Sequence, residues 1–211
     1  MWPDSSVTSE LLERACGGDA GAVNELLERH RAALVRMVEL RLDPALRARL
    51  DASDVVQEVL IKAHRRLGEY LREPAMPFHL WLRQLARDSM IDAHRHHRGA
   101  ARRTTDREQR LSAAYADCSS LDLTARVRDP GLTPAAAAIR EELRRRFAAA
   151  LAELDEQDRE VVLMRHFEQL SNQEIALALG LSEPAAGMRY LRAIRRLRGL
   201  LAEAPSQSGA P

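Results

Sequence analysis

Apolar residues recur with a helical period of about 3.6 along nearly the whole chain, and no run alternates with the period of two that marks a strand. This pattern predicts an all-α protein. One or two amphipathic helices are expected over residues 7–41, interrupted at the glycine pair in "CGGDAG". Further helices are expected over 52–70 and 78–98, separated by "REPAMP", because two closely spaced prolines cannot continue a helix.

Residues 99–133 differ in character, since they are polar and interrupted by Gly and Pro, and they predict a flexible linker. Thr133 followed by Pro134 is typical of a helix start, and Asp155 of another. The chain is therefore expected to contain two small helical domains, at 7–98 and 134–203, joined by that linker.

The segment from residue 170 to 198 predicts a helix-turn-helix. Ser171 and Glu174 have the spacing of a capping box, Gly180 suits the left-handed end of a helix, and Ser182 suits the next N-cap. In this motif the second helix enters the DNA major groove. The alternative is an ordinary helical hairpin with a solvated basic face.

Charge is unevenly distributed, although the formal net charge is only +1. The first 60 residues carry seven arginines against eleven acidic residues, whereas residues 185–200 carry five arginines and no acid. On a helical wheel of 78–98, one side is mostly apolar and the other is basic. The basic side contains Arg83, Arg87, His94 and Arg98. Such a stripe predicts contact with a phosphate backbone, and the alternative is a solvated face.

Helix 52–70 combines a core face with a distinctive exposed face. Its predicted buried stripe is Val56, Val59, Leu60 and Ala63. Its other notable face is Asp54, Gln57, Glu58 and Ile61. Carboxylates and an amide beside an apolar residue suit a protein-docking surface better than a catalytic site. A plain solvated face is the alternative.

Other sequence features predict no cofactor, metal or membrane insertion. Cys16 and Cys118 lie far apart and outside metal-binding spacings, which favours a reducing, cytoplasmic location. The "HRHH" at 94–97 lacks a carboxylate or cysteine placed to complete a site. Neither a signal peptide nor an apolar run long enough to span a bilayer is expected.

Three stretches, in this order, resemble the sigma-70 family of RNA polymerase sigma factors, in its extracytoplasmic-function subgroup. "DASDVVQEVLIKAH" resembles the family's core-polymerase-binding helix, and "FHLWLRQLARDSMIDAHRHHR" resembles its promoter-melting, minus-ten-reading helix. The segment 154–198 resembles its fourth-region helix-turn-helix. The resemblance covers roughly residues 7–98 and 136–202.

The resemblance implies three sets of contact residues. Contacts to core polymerase would come from Asp54, Gln57, Glu58 and Ile61. Contacts to the minus-ten element would come from Arg83, Arg87, Asp92, Arg95 and Arg98. Contacts to the minus-thirty-five element would come from Gly187, Met188, Arg189, Leu191, Arg192, Arg195 and Arg196. Arg189 is expected to hold the helix or a phosphate. The chain departs from the family with Asp88 in place of the usual Asn, and with Gly187 in place of the usual Lys or Arg.

The implied function is that of a transcription initiation factor without enzymatic activity. Its partners would be core RNA polymerase, promoter DNA and an anti-sigma factor or other regulator. Two other classes stay open at this point. A stand-alone helix-turn-helix regulator would need only the C-terminal domain and would normally dimerise on a palindrome. An enzyme would need a metal or a nucleophile–base pair, and the sequence offers neither.

Overall fold

The computed structural model describes residues 1–42, 51–101 and 133–203, and within them it contains eight helices and no strand. The first four are α1 (Ser5–Cys16), α2 (Ala20–Glu39), α3 (Ala52–Arg72) and α4 (Phe78–Ala101). The last four are α5 (Pro134–Ala152), α6 (Glu156–His166), α7 (Asn172–Leu179) and α8 (Glu183–Glu203). The all-α prediction is confirmed. The predicted linker begins inside α4, and its residues 102–132 lie outside the described part of the chain.

Helix starts follow the capping residues that the sequence indicates. Asp51 and Asp155 accept hydrogen bonds from backbone N–H groups of the first turns of α3 and α6. Thr133 does the same for α5, where Pro134 occupies the first turn. These side chains satisfy backbone donors that have no partner inside the helix.

The first domain is a bundle of α1 to α4 around one large apolar core. The predicted stripe of α3 is buried at all four positions: Val56, Val59, Leu60 and Ala63. It packs against α2, whose Leu26 and Leu34 are fully enclosed, and against Leu82 of α4. This core leaves the opposite side of α3 in solvent.

The second domain, α5 to α8, has a smaller core. Leu151 and Leu163 pack there with Ala193 and Leu197 of α8. Burial of this face fixes α8 against α6 and leaves its other side outward. The turn before α8 is made by Gly180, whose φ of 65° lies in the left-handed region that glycine adopts without strain.

The two domains pack against each other through a third apolar cluster. Leu80 of α4 is buried among Val161, Met164, Leu170 and Ile175 of the second domain. Trp2 and Met76 pack against the same cluster from the first-domain side of the chain. Leu80, in the first turn of α4, therefore faces the second domain and not solvent.

Candidate protein-docking and nucleic-acid interfaces

The predicted docking face of α3 is present on the surface. Asp54, Gln57, Glu58 and Ile61 are all exposed, as their spacing on one side of a helix requires. Ile61 keeps 46% of its surface in solvent and so places an apolar side chain beside these polar ones. Glu58 also pairs with Lys62 at 2.9 Å, an exposed contact that contributes little stability.

Beside this face lies an open groove of about 330 Å³ between α2 and α3. Leu27, Leu60 and Ile61 give it an apolar floor, and polar side chains form its walls. The α2 side of the groove is Asn24, Glu28 and Arg31. Sequence reasoning did not find these three, because their polar positions on α2 look like any solvated helix face. The candidate docking surface thus includes residues of α2 as well as of α3.

Arg83 contradicts the expectation that α4 presents one exposed basic stripe. Its side chain is buried, with the residue only 2% exposed. The Arg83 Nε donates to Glu168 Oε2 at 3.1 Å, and Nη2 pairs with Glu160. The prediction that Arg83 is exposed is wrong, because a helical wheel assigns polar residues to solvent. In the structure, the second domain covers this side of α4.

A second arginine completes this interdomain ion cluster, which consists of Arg41, Arg83, Glu160 and Glu168. Arg41 Nη2 and Nε lie 3.0 Å from Glu160 Oε1 and Oε2, respectively, and Nη2 also pairs with Glu168. Each arginine therefore contacts both carboxylates. Two positive and two negative side chains balance one another in a site that excludes most water.

Electrostatics in the cluster follow from burial opposed by pairing. Burial disfavours the Glu160 carboxylate, but the charges of Arg41 and Arg83 outweigh it and lower the pKa of Glu160. Burial likewise disfavours the Arg41 cation, and the charges of Glu168 and Glu160 outweigh it and raise the pKa of Arg41. The Glu160 carboxylate and the Arg41 guanidinium are thus both expected to be charged at neutral pH.

Of the other four predicted minus-ten residues, the three whose side chains are described do not join Arg83. Arg87 and Arg95 are exposed. Asp92 lies toward α3, with its Oδ2 4.0 Å from Lys62 Nζ. The side chain of Arg98 lies outside the described residues. α4 therefore distributes these residues over more than one side.

The predicted recognition helix α8 presents an open face. Exposed residues there include Met188, Leu191, Arg192, Arg195 and Arg196. Ser171 and Glu174 form the predicted capping box at the start of α7, and Ser182 Oγ accepts from Ala185 N at 3.4 Å at the start of α8. The helix-turn-helix prediction is confirmed in geometry, with apolar and cationic side chains displayed together.

Arg189 and Gly187 differ from the rest of α8. Arg189 Nη1 donates to Asp158 Oδ1 at 3.3 Å, which ties α8 to α6. Its predicted helix-holding role therefore has a specific partner. A Cβ added at Gly187 would meet Asn172 Nδ2 at 3.6 Å, an ordinary contact, so a side chain fits there without rearrangement.

In the described ranges, no group of three or more His, Cys, Asp or Glu side chains is placed to hold a metal ion. Within the same residues, no helix is long and apolar enough to cross a membrane.

Two family models match the chain in the order of its domains. The model of "Sigma-70 region 2" matches residues 26–100, and that of "Sigma-70, region 4" matches residues 144–197. The first match contains the docking face of α3 and all of the predicted minus-ten residues. The second contains the helix-turn-helix.

Individual relatives agree with these matches. The chain is 30% identical over 200 residues to "ECF RNA polymerase sigma factor SigD" of Mycobacterium tuberculosis, covering 93% of this chain and 86% of that protein. It is 32% identical over 150 residues to the "Probable RNA polymerase sigma factor RfaY" of Xanthomonas campestris pv. campestris, covering 71% of this chain but only about a third, 34%, of that protein. Among solved structures, "CnrH in complex with the cytosolic domain of CnrY" matches with a TM-score of 0.60 at 25% identity, over 94% of this chain and 99% of that one.

Proposed function

Because the chain belongs to the sigma-70 family of transcription initiation factors, in the extracytoplasmic-function subgroup, we propose that it directs core RNA polymerase to promoters with two separated DNA elements. The observation that carries this proposal is the coexistence of an exposed acidic–apolar docking face on α3 and an exposed recognition face on α8 in one chain. A stand-alone regulator would have no use for the first of these.

The α3 face and its groove are the proposed site of core polymerase. Asp54 and Glu58 supply charge that fits a basic partner, and exposed Ile61 supplies apolar contact beside the groove. Such a mixture of an apolar centre and a charged rim is typical of protein interfaces. Since core polymerase is a cytoplasmic assembly, we expect the chain to act in the cytoplasm.

The two arginine-bearing helices are the proposed DNA contacts. Arg192 lies ten positions after the Ser182 cap on α8, where we expect it to reach base edges of the minus-thirty-five element. Arg195 and Arg196 follow it, where we expect contacts to phosphates. On α4, Arg87 and Arg95 are exposed for the minus-ten element, and Arg83 would join them only after the domains separate.

A protein restraint is also proposed. The relative CnrH was solved in complex with the cytosolic domain of CnrY. A corresponding anti-sigma protein for this chain would have the exposed faces of α3 and α8 as available docking surfaces. Co-purification from cells of an intact partner that blocks polymerase binding would support this part of the proposal.

The proposal is tested by co-elution of the purified chain with core polymerase on gel filtration, followed by DNA binding with and without polymerase. We expect a stable complex and specific DNA binding that requires polymerase. A chain that does not co-elute, and that binds a palindromic site as a dimer, would instead be a stand-alone regulator.

A further inference from the structure

We propose that Glu160 and Glu168 mask Arg83 in the free chain by occupying the positions that DNA phosphates would take. The two carboxylates belong to the second domain, and the guanidinium belongs to the proposed minus-ten helix of the first. The protein thereby inhibits one of its own DNA contacts. This inference rests on the proposed role of Arg83 in binding the minus-ten element.

The chemistry of the cluster fits this role. Guanidinium groups bind carboxylates and phosphates with the same forked hydrogen-bond geometry. The Nε–Nη2 edge of Arg83 is occupied, because Nε binds Glu168 and Nη2 binds Glu160. Since only 2% of Arg83 is exposed, a nucleic acid cannot reach its guanidinium in this closed arrangement.

Arg41 balances the charge of the two glutamates that cover Arg83, and we call these four residues the mask. Two carboxylates facing a single arginine would leave a buried negative charge, which is costly. Arg41, at the end of α2, binds both Glu160 and Glu168 and so balances the site. It also donates to the carbonyl oxygen of Met37 at 3.0 Å, which holds it in place. The mask is a neutral four-residue unit.

Apolar contacts seal the unit from water. Leu80 lies one helical turn before Arg83. Its side chain is buried in an apolar cluster with Met164 and Leu170 of the second domain. Trp2 packs against this cluster as well as against the core of the first domain. Low water access strengthens the ion pairs and also makes their separation cooperative with loss of the apolar contact.

A third contact links the closed state to the helix-turn-helix. His79 Nε2 lies 2.9 Å from Glu174 Oε1, while Glu174 Oε2 accepts from Ser171 N at 2.7 Å in the capping box. One carboxylate thus serves both the cap and the interdomain contact. Opening would release His79 and leave the cap intact.

The closed state does not cover the other proposed interfaces. The docking face of α3 and the outward side of α8 both stay exposed in it. Polymerase binding is therefore possible before the domains separate, and full minus-ten contact follows separation. Masking would prevent the free chain from binding DNA through Arg83 away from polymerase.

The test compares the full chain with the variant Glu160→Gln/Glu168→Gln. This change leaves Arg41 and Arg83 buried without counterions, so we expect the domains to separate. The radius of gyration in small-angle X-ray scattering should rise from about 17 Å for a compact chain toward about 25 Å for two separated domains. Affinity for a labelled single-stranded 20-mer of mixed sequence should rise about tenfold.

A matched control is Glu153→Gln/Glu156→Gln, which removes the same charge from exposed positions of the same domain. It should change neither the radius nor, beyond the general effect of charge, the DNA affinity. Adding Arg83→Gln to the masking variant should abolish most of the gain in affinity. If the masking variant opens without gaining more affinity than the control, or if its gain survives Arg83→Gln, the proposal is wrong.

Leu80→Ala is a second variant, used if the charge variant fails to fold. It weakens the apolar contact between the domains and keeps every charge. We expect it to open the chain and raise DNA affinity in the same way. An unchanged radius in both variants, or loss of helical circular dichroism in both, would overturn the proposal. The scattering result stands whether or not the chain directs transcription, whereas failure to bind polymerase would count only against the proposed function.

Discussion

α4 and α8 carry similar numbers of arginines but use them in opposite environments. On α4, Arg83 is enclosed by carboxylates of the other domain, whereas on α8, Arg192, Arg195 and Arg196 are exposed. Arg189 is intermediate, since it pairs with Asp158 inside its own domain. The number of arginines on a helix therefore does not show whether they are available for binding. Their availability depends on which other element covers each side of the helix.

The same contrast separates the two domains. In the first domain, the proposed polymerase-docking face is exposed, whereas part of the proposed DNA-binding face is buried. In the second domain, the proposed DNA-binding face is exposed, and the same domain supplies the carboxylates that bury Arg83 of the first. We therefore expect substitutions on the exposed faces of α3 and α8 to alter binding alone. Substitutions in the interdomain ion cluster should alter the arrangement of the domains.

The largest expected effect is on the open face of the first domain. Asp54→Arg with Glu58→Arg should weaken core polymerase binding by at least about a hundredfold, because like charges would then face the partner. Both positions are exposed, so the fold should be retained. Glu10→Arg with Glu13→Arg, an equal charge change on exposed positions of α1, is the control. If the charge-reversed variant still co-elutes with core polymerase, the α3 face is not the polymerase-binding site.

The second expected effect is acid sensitivity that arises from a buried histidine of the first domain. His30 Nδ1 donates to the Leu26 carbonyl at 2.8 Å, and burial lowers the pKa of His30 to about 4. The unfolded chain therefore takes up this proton first as pH falls below the ordinary value near 6.5. The contribution of His30 is fully present above that pH and is lost toward pH 4.

By pH 4.5, the unfolding free energy should fall by about 2–3 kcal/mol from this group alone. Urea unfolding at pH 7.5 and pH 4.5 measures it, and His30→Gln should remove that part of the pH dependence. The control substitution is His166→Gln, at an exposed position of the second domain. An identical pH dependence in parent and His30→Gln would show that His30 is not the acid-sensitive group.

The third effect concerns base reading by α8. Arg192→Ala should cost about 1–3 kcal/mol on the cognate upstream element and reduce discrimination against a scrambled one. The measurement is titration of holoenzyme on both sequences at fixed salt. An equal loss of affinity on the cognate and scrambled elements would indicate that Arg192 contacts phosphates and not bases.

The smallest effect separates phosphate contacts from base contacts on the same helix. Arg195→Ala or Arg196→Ala should weaken binding to all sequences alike and reduce the slope of log affinity against log salt by about one unit each. Gly187→Lys should do the reverse and steepen the slope by about one unit, since there is room for a side chain at that position. Salt titration of the three variants gives all three values, and sequence-dependent losses at Arg195 or Arg196 would contradict the assignment.

Sequence alone predicted the local parts of this molecule well. Capping residues such as Ser171 and Asp155 act through backbone groups within three positions, so their role is readable from spacing. The shared exposure of Asp54, Gln57, Glu58 and Ile61 on α3 was likewise predictable, because a helix fixes which residues share a side. These features depend on neighbours in the chain.

The mask over Arg83 was not predictable in the same way. Its carboxylates lie 77 and 85 positions away, and periodicity carries no information at that range. One signal was available, since Leu80 is an apolar residue that falls on the basic side of the helix. A large apolar residue on a polar face indicates that another element covers it.

The central claim is that one chain links core polymerase to two promoter elements. The most direct measurement is run-off transcription by core polymerase and the purified chain on a library of genomic fragments, with the transcript starts mapped. The account predicts chain-dependent starts preceded by two short elements at a fixed separation, and loss of these transcripts when the separation is changed by half a helical turn. Transcription that is unaffected by the chain, or that depends on one upstream element at any distance, would contradict it.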